Sequence, residues 1–448
     1  MKVIVIGAGK VGREICRKLA EEKCDVIVID TDEAKVTQLV GVTDIKGVVG
    51  MGELVAVQRE AEVPRADLVI AVTEKDETNI LCCLIAKTLK AKQTAARVRD
   101  IGLAEQSEFM RDSLGIDLLI NPEYETAVEI SRLLRYPAAA NVDYSDKARV
   151  DIVEVGIEKG NALIGEKLKD AAYSQKLKIL VCAVARGGGV IIPKGDFVFA
   201  EGDKVFVTGK YQSIDAFFKR CGMTVARVRS SLIIGGGRIA RYLAESLHDS
   251  GIAVKIIEPD LAECTALADE LDFATVIHGD GTDKTLLSEE GADSADAFIT
   301  LTGSDEINIM ASLYAKGHGV GKIVTKINSD SLMEIASSLA LGATVSPKDV
   351  VSQQIVRYVR SLKTHDESML ACYTLLGGKV QATAFRVDDE SLTGSVRALK
   401  LKSELLIAAV VKGGAVIIPD GETKLEYGDV ILAVSTDISL KKIEDILL

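Results

Sequence analysis

Three glycines near the start of the chain have the spacing of a phosphate-binding loop. Gly7, Gly9 and Gly12 follow the apolar residues 3–6 in "MKVIVIGAGKVGREI" and precede a helical pattern. In a strand, turn and helix of this kind, the first glycine allows a tight turn, the second lets the backbone approach a phosphate, and the third lets the helix pack closely on the strand. The first amides of the helix attract an anion.

A carboxylate follows at the distance expected for ribose recognition. The next apolar run, "DVIVID", ends at Asp30, 23 positions after Gly7. An acidic side chain at this place can accept hydrogen bonds from the ribose hydroxyls of a dinucleotide. The loop and the carboxylate together predict a nucleotide site.

The same pattern returns in the second half of the chain as "LIIGGGRIARYL". Gly235, Gly237 and Ala240 take the three loop positions, and Glu258 lies 23 positions after Gly235. Because both the spacing and its context recur, we expect a second nucleotide site.

Further segments repeat at nearly constant offsets. The segment that begins "ADLVIAVTEKDETN" at residue 66 returns at 295 as "ADAFITLTGSDEIN", an offset of 229, and "AVARGGGVIIPKG" at 183 returns at 409 as "AVVKGGAVIIPDG", an offset of 226. The repeated unit is therefore about half the chain and is itself composite.

The strand and helix patterns predict an α/β protein of four domains. Each half begins with a Rossmann-like, doubly wound parallel-sheet domain and continues into a small α+β domain with a glycine-rich hairpin. The expected limits are 1–137 and 226–365 for the two nucleotide-binding domains, and 138–225 and 366–448 for the two small domains.

Composition excludes several classes of protein. The net charge of −12 argues against a nucleic-acid partner. We expect no signal peptide, because the first predicted strand begins at residue 3, and we see no apolar run that approaches the length needed to span a bilayer. Its eight cysteines have no C-x-x-C spacing and read as buried thiols, and its four histidines form no cluster with metal-ligand or catalytic spacing.

The motifs quoted above, together with "AARVRD", "HGDGTD" and "LTGSDEINI", resemble the TrkA family of cytoplasmic regulatory subunits of Trk-type potassium uptake systems. Members of this family carry tandem domains of the type that regulates K⁺ conductance (RCK domains). The resemblance implies a ring of four chains that binds NAD(H), ATP or ADP. It also implies that the ring gates an integral membrane potassium channel subunit from the inner face of the cell membrane.

The two halves depart from each other at two places. Met51 in "GMGE" stands where this type of domain usually has an acidic residue, and Lys348 in "SPKD" stands where the first half has Glu123 in "NPEY". The two sites are therefore not expected to be equivalent.

The predicted nucleotide contacts combine the loops, the strand ends and the resemblance. Lys10 and Arg238 share one loop position, where a cation could meet a pyrophosphate or a solvated carboxylate. Thr73 and Thr302 end strands, where a hydroxyl could reach the adenosine or cap a helix. The resemblance selects Arg97. The full set is Gly7, Ala8, Gly9, Lys10, Val11, Gly12, Asp30, Thr73, Glu74, Arg97, Gly235, Gly236, Gly237, Arg238, Ile239, Glu258, Asp280 and Thr302.

Two functions compete for this pattern: a sensor without chemistry and a nicotinamide-dependent oxidoreductase. A dehydrogenase needs a proton-transfer group near the nicotinamide, and neither small domain offers one. Duplicated sites suit a regulator, because ligand state can then be converted into domain movement. The acidic residue at both ribose positions disfavours NADP.

One helix carries more apolar surface than its own sheet can cover. Val128, Ile130, Leu133 and Leu134 form the apolar face of "NPEYETAVEISRLLRY". We expect this helix to leave its sheet and cross onto a neighbouring chain.

Overall fold

A computed structural model describes the chain of 448 residues apart from eleven short stretches. These are residues 101, 104–105, 136–140, 146–149, 172–177, 223–227, 364–367, 376–378, 438–439, 441 and 448. The expected domain limits at 137/138, 225/226 and 365/366 all lie outside the described residues and stay predictions.

The first nucleotide domain is a parallel sheet of six strands that alternate with helices. Its strands are β1 Lys2–Ile6, β2 Asp25–Asp30, β3 Lys46–Val49, β4 Leu68–Ala71, β5 Gln93–Arg97 and β6 Leu118–Ile120. Its helices are α1 Lys10–Glu21, α2 Glu33–Val42, α3 Val55–Glu60, α4 Asp76–Thr88, α5 Ser107–Asp112 and α6 Pro122–Arg135, with a 3₁₀ turn at Val63–Arg65.

The strand order of this sheet is β3-β2-β1-β4-β5-β6. Because β1 pairs with both β2 and β4 in parallel, the chain reverses its direction of winding beside β1. A crevice opens at such a reversal, outside the carboxyl ends of the strands, and ligands of open α/β sheets bind there. The Gly7 loop lies directly after β1, at that crevice.

The second nucleotide domain repeats this arrangement with the order β14-β13-β12-β15-β16-β17. Its strands are β12 Ser230–Ile234, β13 Ala253–Glu258, β14 Thr275–His278, β15 Ala297–Thr300, β16 Lys322–Lys326 and β17 Ala343–Val345. We number its helices α9 Arg238–Asp249, α10 Leu261–Glu270, α11 Lys284–Glu289, α12 Asp305–Gly317, α13 Asp330–Ser338 and α14 Pro347–Lys363, with a 3₁₀ turn at Ala292–Ser294.

The two small domains are built on antiparallel five-stranded sheets with matching orders, β10-β9-β11-β8-β7 and β18-β19-β24-β21-β22. The first contains β7 Asn141–Ser145, β8 Val150–Gly156, α7 Leu168–Ala171, β9 Ile179–Arg186, β10 Gly189–Ile191, β11 Lys204–Gly209 and α8 Tyr211–Arg220. The second contains β18 Met369–Leu375, β19 Val380–Arg386, β20 Gly394–Ser395, β21 Leu405–Lys412, β22 Ala415–Ile417, β23 Lys424–Leu425, β24 Val430–Ser435 and 3₁₀ turns at Glu390–Leu392, Val396–Ala398 and Ile443–Ile446. The predicted fold class is confirmed.

The described residues divide into two compact units, and each unit joins like domains from the two halves. One unit comprises Met1–Leu134 with Val228–Val356, and the other comprises Arg135–Arg227 with Arg357–Leu448. In the second unit, residues of both small domains share one apolar core. The nucleotide domains and the small domains are therefore each paired within a single chain.

Helix α6 joins the two nucleotide domains. Ala127, Ile130, Leu133 and Leu134 lie in the same apolar core as strands β12 and β13 of the second domain, and Ile130 is fully buried. The expectation that this face would cross onto another chain is wrong, because the second half of the same chain covers it. A polar contact accompanies this packing: Ser246 Oγ donates to Ser131 Oγ at 2.8 Å.

Shortening a buried side chain of α6 should destabilise the paired nucleotide domains. We expect Ile130→Ala to lower the free energy of unfolding by about 2 to 5 kcal/mol, because a fully buried side chain leaves a cavity between the domains. Val128→Ala, on the same helix at a half-buried position, should cost about 1 kcal/mol or less. Urea denaturation followed by circular dichroism would measure both, and equal losses would contradict the assigned packing.

Candidate functional site

A carboxylate fastens each glycine loop to the neighbouring strand. Asp30 Oδ2 accepts a hydrogen bond from the Ala8 amide at 2.6 Å, and Asp30 Oδ1 accepts one from the Asp32 amide at 2.9 Å. Glu258 does the same in the second domain, with the Gly236 amide at 2.7 Å and the Asp260 amide at 3.0 Å. Both acidic residues thus shape the loop itself, and their contact with a ribose stays a prediction.

The first position of each loop requires a glycine for its conformation and packing, whereas the second does not. Gly7 has φ of +111° and Gly235 has φ of +98°, and a Cβ at either would lie 3.0 Å from backbone atoms of the facing strand end. Gly9 and Gly237 have ordinary φ values of −69° and −66°. A Cβ on either would meet nothing within 4 Å. Internal packing explains the first glycine of each loop but does not explain the second.

A buried asparagine fixes the opposite wall of each crevice. Asn79 Oδ1 accepts from both the amide and the hydroxyl of Thr73 at 2.7 Å, and its Nδ2 donates to the Arg97 carbonyl at 2.9 Å. Asn308 bonds Thr302 and the Lys326 carbonyl in the same way. The asparagine ties the ends of two adjacent strands together, and the threonine hydroxyl donates to it.

The first crevice is the space of about 640 Å³ beside the Gly7 loop. The structure brings most of the predicted residues of the first half together on its walls: Gly7, Gly9, Lys10, Val11, Asp30, Thr73, Glu74 and Arg97. It adds Glu53, whereas Met51 is a largely exposed side chain outside the lining.

The second crevice is the space of about 1360 Å³ beside the Gly235 loop. Its walls include the predicted residues Gly235, Gly236, Gly237, Arg238, Glu258, Asp280 and Thr302. Asp280 Oδ1 accepts from the amide of Thr282 at 2.9 Å and from its hydroxyl at 2.8 Å, so the acidic side chain is held by its own turn.

Three predicted residues lie beneath the loops. Ala8 is fully buried. A Cβ on Gly12 would approach the Gly7 carbonyl oxygen to 1.8 Å, so this glycine serves the packing of helix on turn. Ile239 packs into the apolar core of the second domain. A direct contact between these residues and a ligand stays a prediction.

Each crevice also receives residues from the other half of the chain, which the motifs did not reveal. Asn328, Pro347 and Lys348 line the first crevice, although they belong to the second nucleotide domain. Arg99 and Asp100 of the first domain line the second crevice. The change from Glu123 to Lys348 between the repeats was the one available signal, and it pointed to a difference without showing where the side chain lies.

Arg97 lies at the end of β5, near the Arg99 guanidinium and the carboxylates of Glu74, Asp76 and Glu123. Burial, and then the nearby Arg99 guanidinium, lower its pKa. One of its terminal nitrogens donates to the Thr73 carbonyl, while its Nε is buried without a hydrogen-bond partner among the described residues. Lys326 takes the position of Arg97 in the second domain. It donates to the Leu301 carbonyl at 3.2 Å, and burial lowers its pKa.

Models of known protein families match the chain domain by domain. The TrkA-N domain model matches residues 3–122 and 231–347, and the TrkA-C domain model matches residues 152–222 and 384–448. The chain belongs to the TrkA family. Its TrkA-N domains are the two crevice-bearing domains, and its TrkA-C domains are the two small ones.

Individual relatives agree with this assignment over the full length. The chain is 34% identical to the Trk system potassium uptake protein TrkA of Halomonas elongata, covering 100% of this chain and 98% of that protein. It is 31% identical to the Haemophilus influenzae protein of the same name, covering 98% and 96%. The predicted resemblance to the TrkA family is confirmed.

Solved structures support the fold. A structure titled GsuK channel bound to NAD superposes with a TM-score of 0.63 at 20% identity, over 97% of this chain and 77% of that one. The GsuK RCK domain gives 0.62 at 20% identity, over 97% and 92%. The tandem arrangement of RCK-like domains is therefore shared with these structures.

A matched pair of glycine variants would test the loop geometry of this TrkA-family chain. We expect Gly7→Ala to lower the free energy of unfolding by about 1 to 3 kcal/mol, because its positive φ and its close approach to β4 both oppose a side chain. Gly9→Ala should stay within about 0.5 kcal/mol of the parent, because its φ is ordinary and space is open. Thermal unfolding compares the two, and equal losses would refute the distinction.

Proposed function

We propose that this protein is a regulatory subunit that binds NAD(H) or an adenine nucleotide in each crevice and gates a membrane potassium uptake transporter. It works at the cytoplasmic face of the membrane as a ring of four chains, held there by the transporter. It performs no reaction on its ligand.

One observation carries the nucleotide-binding part of this proposal. Gly9 and Gly237 are glycines although neither φ nor packing requires one, and both stand at the N-terminus of a helix beside a crevice. A missing side chain at this place permits a phosphate to approach the backbone amides. The recurrence of the same open position in both halves supports a ligand in each.

The surroundings of the loops fit a nucleotide with a free ribose diol. Asp30 and Glu258 end the second strand of their domains and line the crevices, where a carboxylate accepts from ribose hydroxyls and repels a 2′-phosphate. This supports NAD(H), ATP and ADP over NADP. The structure of the GsuK channel bound to NAD shares this fold, which supports a nucleotide as the ligand of these crevices.

The potassium-uptake part of the proposal is supported by family membership. The full-length relatives are named as Trk system potassium uptake proteins. Among the described residues, no helix is both long enough and apolar enough to cross a membrane. In this proposal a separate membrane protein supplies the pore.

Calorimetric titration with NADH, ATP and ADP would test the two binding sites. We expect the parent chain to bind two nucleotides, and Gly9→Val and Gly237→Val each to bind one, because the new side chain occupies open space that the phosphate needs. Circular dichroism should show unchanged thermal unfolding for both variants. Parent-like binding by both variants would place the ligand elsewhere.

Fractionation of cells would test the proposed partner. Produced alone, the protein should remain in the soluble fraction, because its net charge of −12 is repelled by anionic headgroups. Co-production with the Trk-type channel subunit should move it to the membrane fraction. Binding to vesicles that lack the transporter would replace docking by direct lipid attachment, and solubility in its presence would overturn the assignment.

The alternative of a nicotinamide oxidoreductase makes a different prediction. Incubation of the protein with NADH and a panel of oxo acids should leave the absorbance of NADH unchanged. Catalytic loss of that absorbance would favour the enzyme.

A further inference from the structure

The two crevices carry opposite charge. The first is lined by five cationic and three acidic side chains, and the second by four cationic and eight acidic ones. The cations of the first crevice are Lys10, Lys35, Lys75, Arg97 and Lys348. Four of the eight acidic residues of the second crevice come from the first half of the chain: Glu74, Asp76, Glu77 and Asp100. The first half also contributes Lys75 and Arg99 to the second crevice, so half of the difference in net charge between the two linings arises from what each half contributes to the crevice of the other.

Lys348 is the cation that the second half contributes to the first crevice. It stands at the start of α14, and its side chain is 12% exposed. The adjacent Asp349 lies near Glu14, on the first turns of α1 after Lys10. The start of α14 thus lies beside the start of α1, where the phosphates of a nucleotide are expected to bind.

The present partner of Lys348 is weakly held. Its Nζ lies 2.6 Å from Asp330 Oδ1, but the Asp330 side chain is 81% exposed and also lies near Arg17. An ion pair with one partner in water is worth little, and water and Arg17 would compensate Asp330 if Lys348 moved. A buried phosphate would offer Lys348 a more strongly charged partner.

We propose that Lys348 binds the outer phosphates of a nucleotide in the first crevice and makes this crevice selective for di- and triphosphates over monophosphates. This inference rests on the proposed nucleotide binding and adds the ligand class and a specificity residue from the other half. The acidic second crevice discriminates less between phosphate numbers. Lys348 leaves Asp330 when the ligand binds.

The test uses the full chain with Gly237→Val, so that the first crevice is measured alone. Calorimetry with ATP, ADP and AMP is performed without divalent metal, at two salt concentrations. Lys348→Gln should raise the Kd of ATP about tenfold or more and that of AMP less than threefold, because one charge-assisted contact to the outer phosphates is lost. The effect should shrink at high salt.

Two controls separate phosphate binding from a structural role. Asp330→Asn breaks the same ion pair but frees Lys348, so it should leave ATP binding unchanged or tighter, whereas a structural role predicts weaker binding for both variants. Lys46→Gln makes the same change of net charge at the start of β3, whereas the crevice lies at the carboxyl ends of the strands. It should not alter the preference for ATP over AMP.

The outcomes distinguish the two proposals. Two results would overturn the role of Lys348 and leave nucleotide binding intact. In the first, Lys348→Gln binds ATP as tightly as the chain that keeps Lys348. In the second, Lys348→Gln weakens the binding of ATP and of AMP by the same factor. Absence of binding by the parent chain to any nucleotide would overturn both. The chain with Gly9→Val, in which only the second crevice is free, should show a smaller ratio of ATP to AMP affinity, and a larger ratio would refute the proposed charge selectivity.

Discussion

The burial of helix α6 in the second nucleotide domain is the constraint on which the rest of this structure depends. Ile130 and Leu134 are almost completely removed from water there, and such side chains cannot be returned to solvent without a cost of about 1.5 to 3 kcal/mol each. The second repeat makes a contact back to the first, since Gln354 Nε2 of α14 donates to Glu125 Oε1 at 3.0 Å. The two nucleotide domains are thereby held as one compact unit.

Because the two nucleotide domains are paired, the two crevices need not have the same lining. A tandem repeat of isolated domains would give two similar crevices, whereas here each crevice is completed by the other domain. The first glycine of the loop, an acidic residue and the asparagine recur in both halves, because each makes the internal contacts that hold the loop or the strand ends in place. The completing residues are free to differ, and they do: Lys348 of the second half lines the first crevice, and Asp76 and Asp100 of the first half line the second.

The parts of the fold and site that follow from local rules were predictable from the sequence. The glycine spacing, the carboxylate 23 residues later and the repeated strand ends at Thr73 and Thr302 predicted where both loops and part of their walls lie. The buried asparagines that hold these strand ends were not predicted. The destination of α6 was predicted wrongly, because helical periodicity shows which face is buried and carries no information about the surface that buries it. The cross-contribution of Lys348 and Arg99 was missed for the same reason, since it depends on how two domains pack.

Completion of a site by two domains has a thermodynamic consequence. A ligand in the first crevice that contacts both the Gly9 loop and Lys348 binds more tightly when the two domains keep this arrangement than when they separate or rotate. It must then stabilise that arrangement by the free energy of the extra contact, and the arrangement must raise the ligand's affinity by the same factor. A contact of about 1 to 3 kcal/mol shifts a two-state equilibrium by roughly 5- to 150-fold. If both crevices bind nucleotides as proposed, the side chains that differ between the crevices are therefore the ones through which different nucleotides would produce different domain arrangements, and the shared loops would hold the phosphates in both.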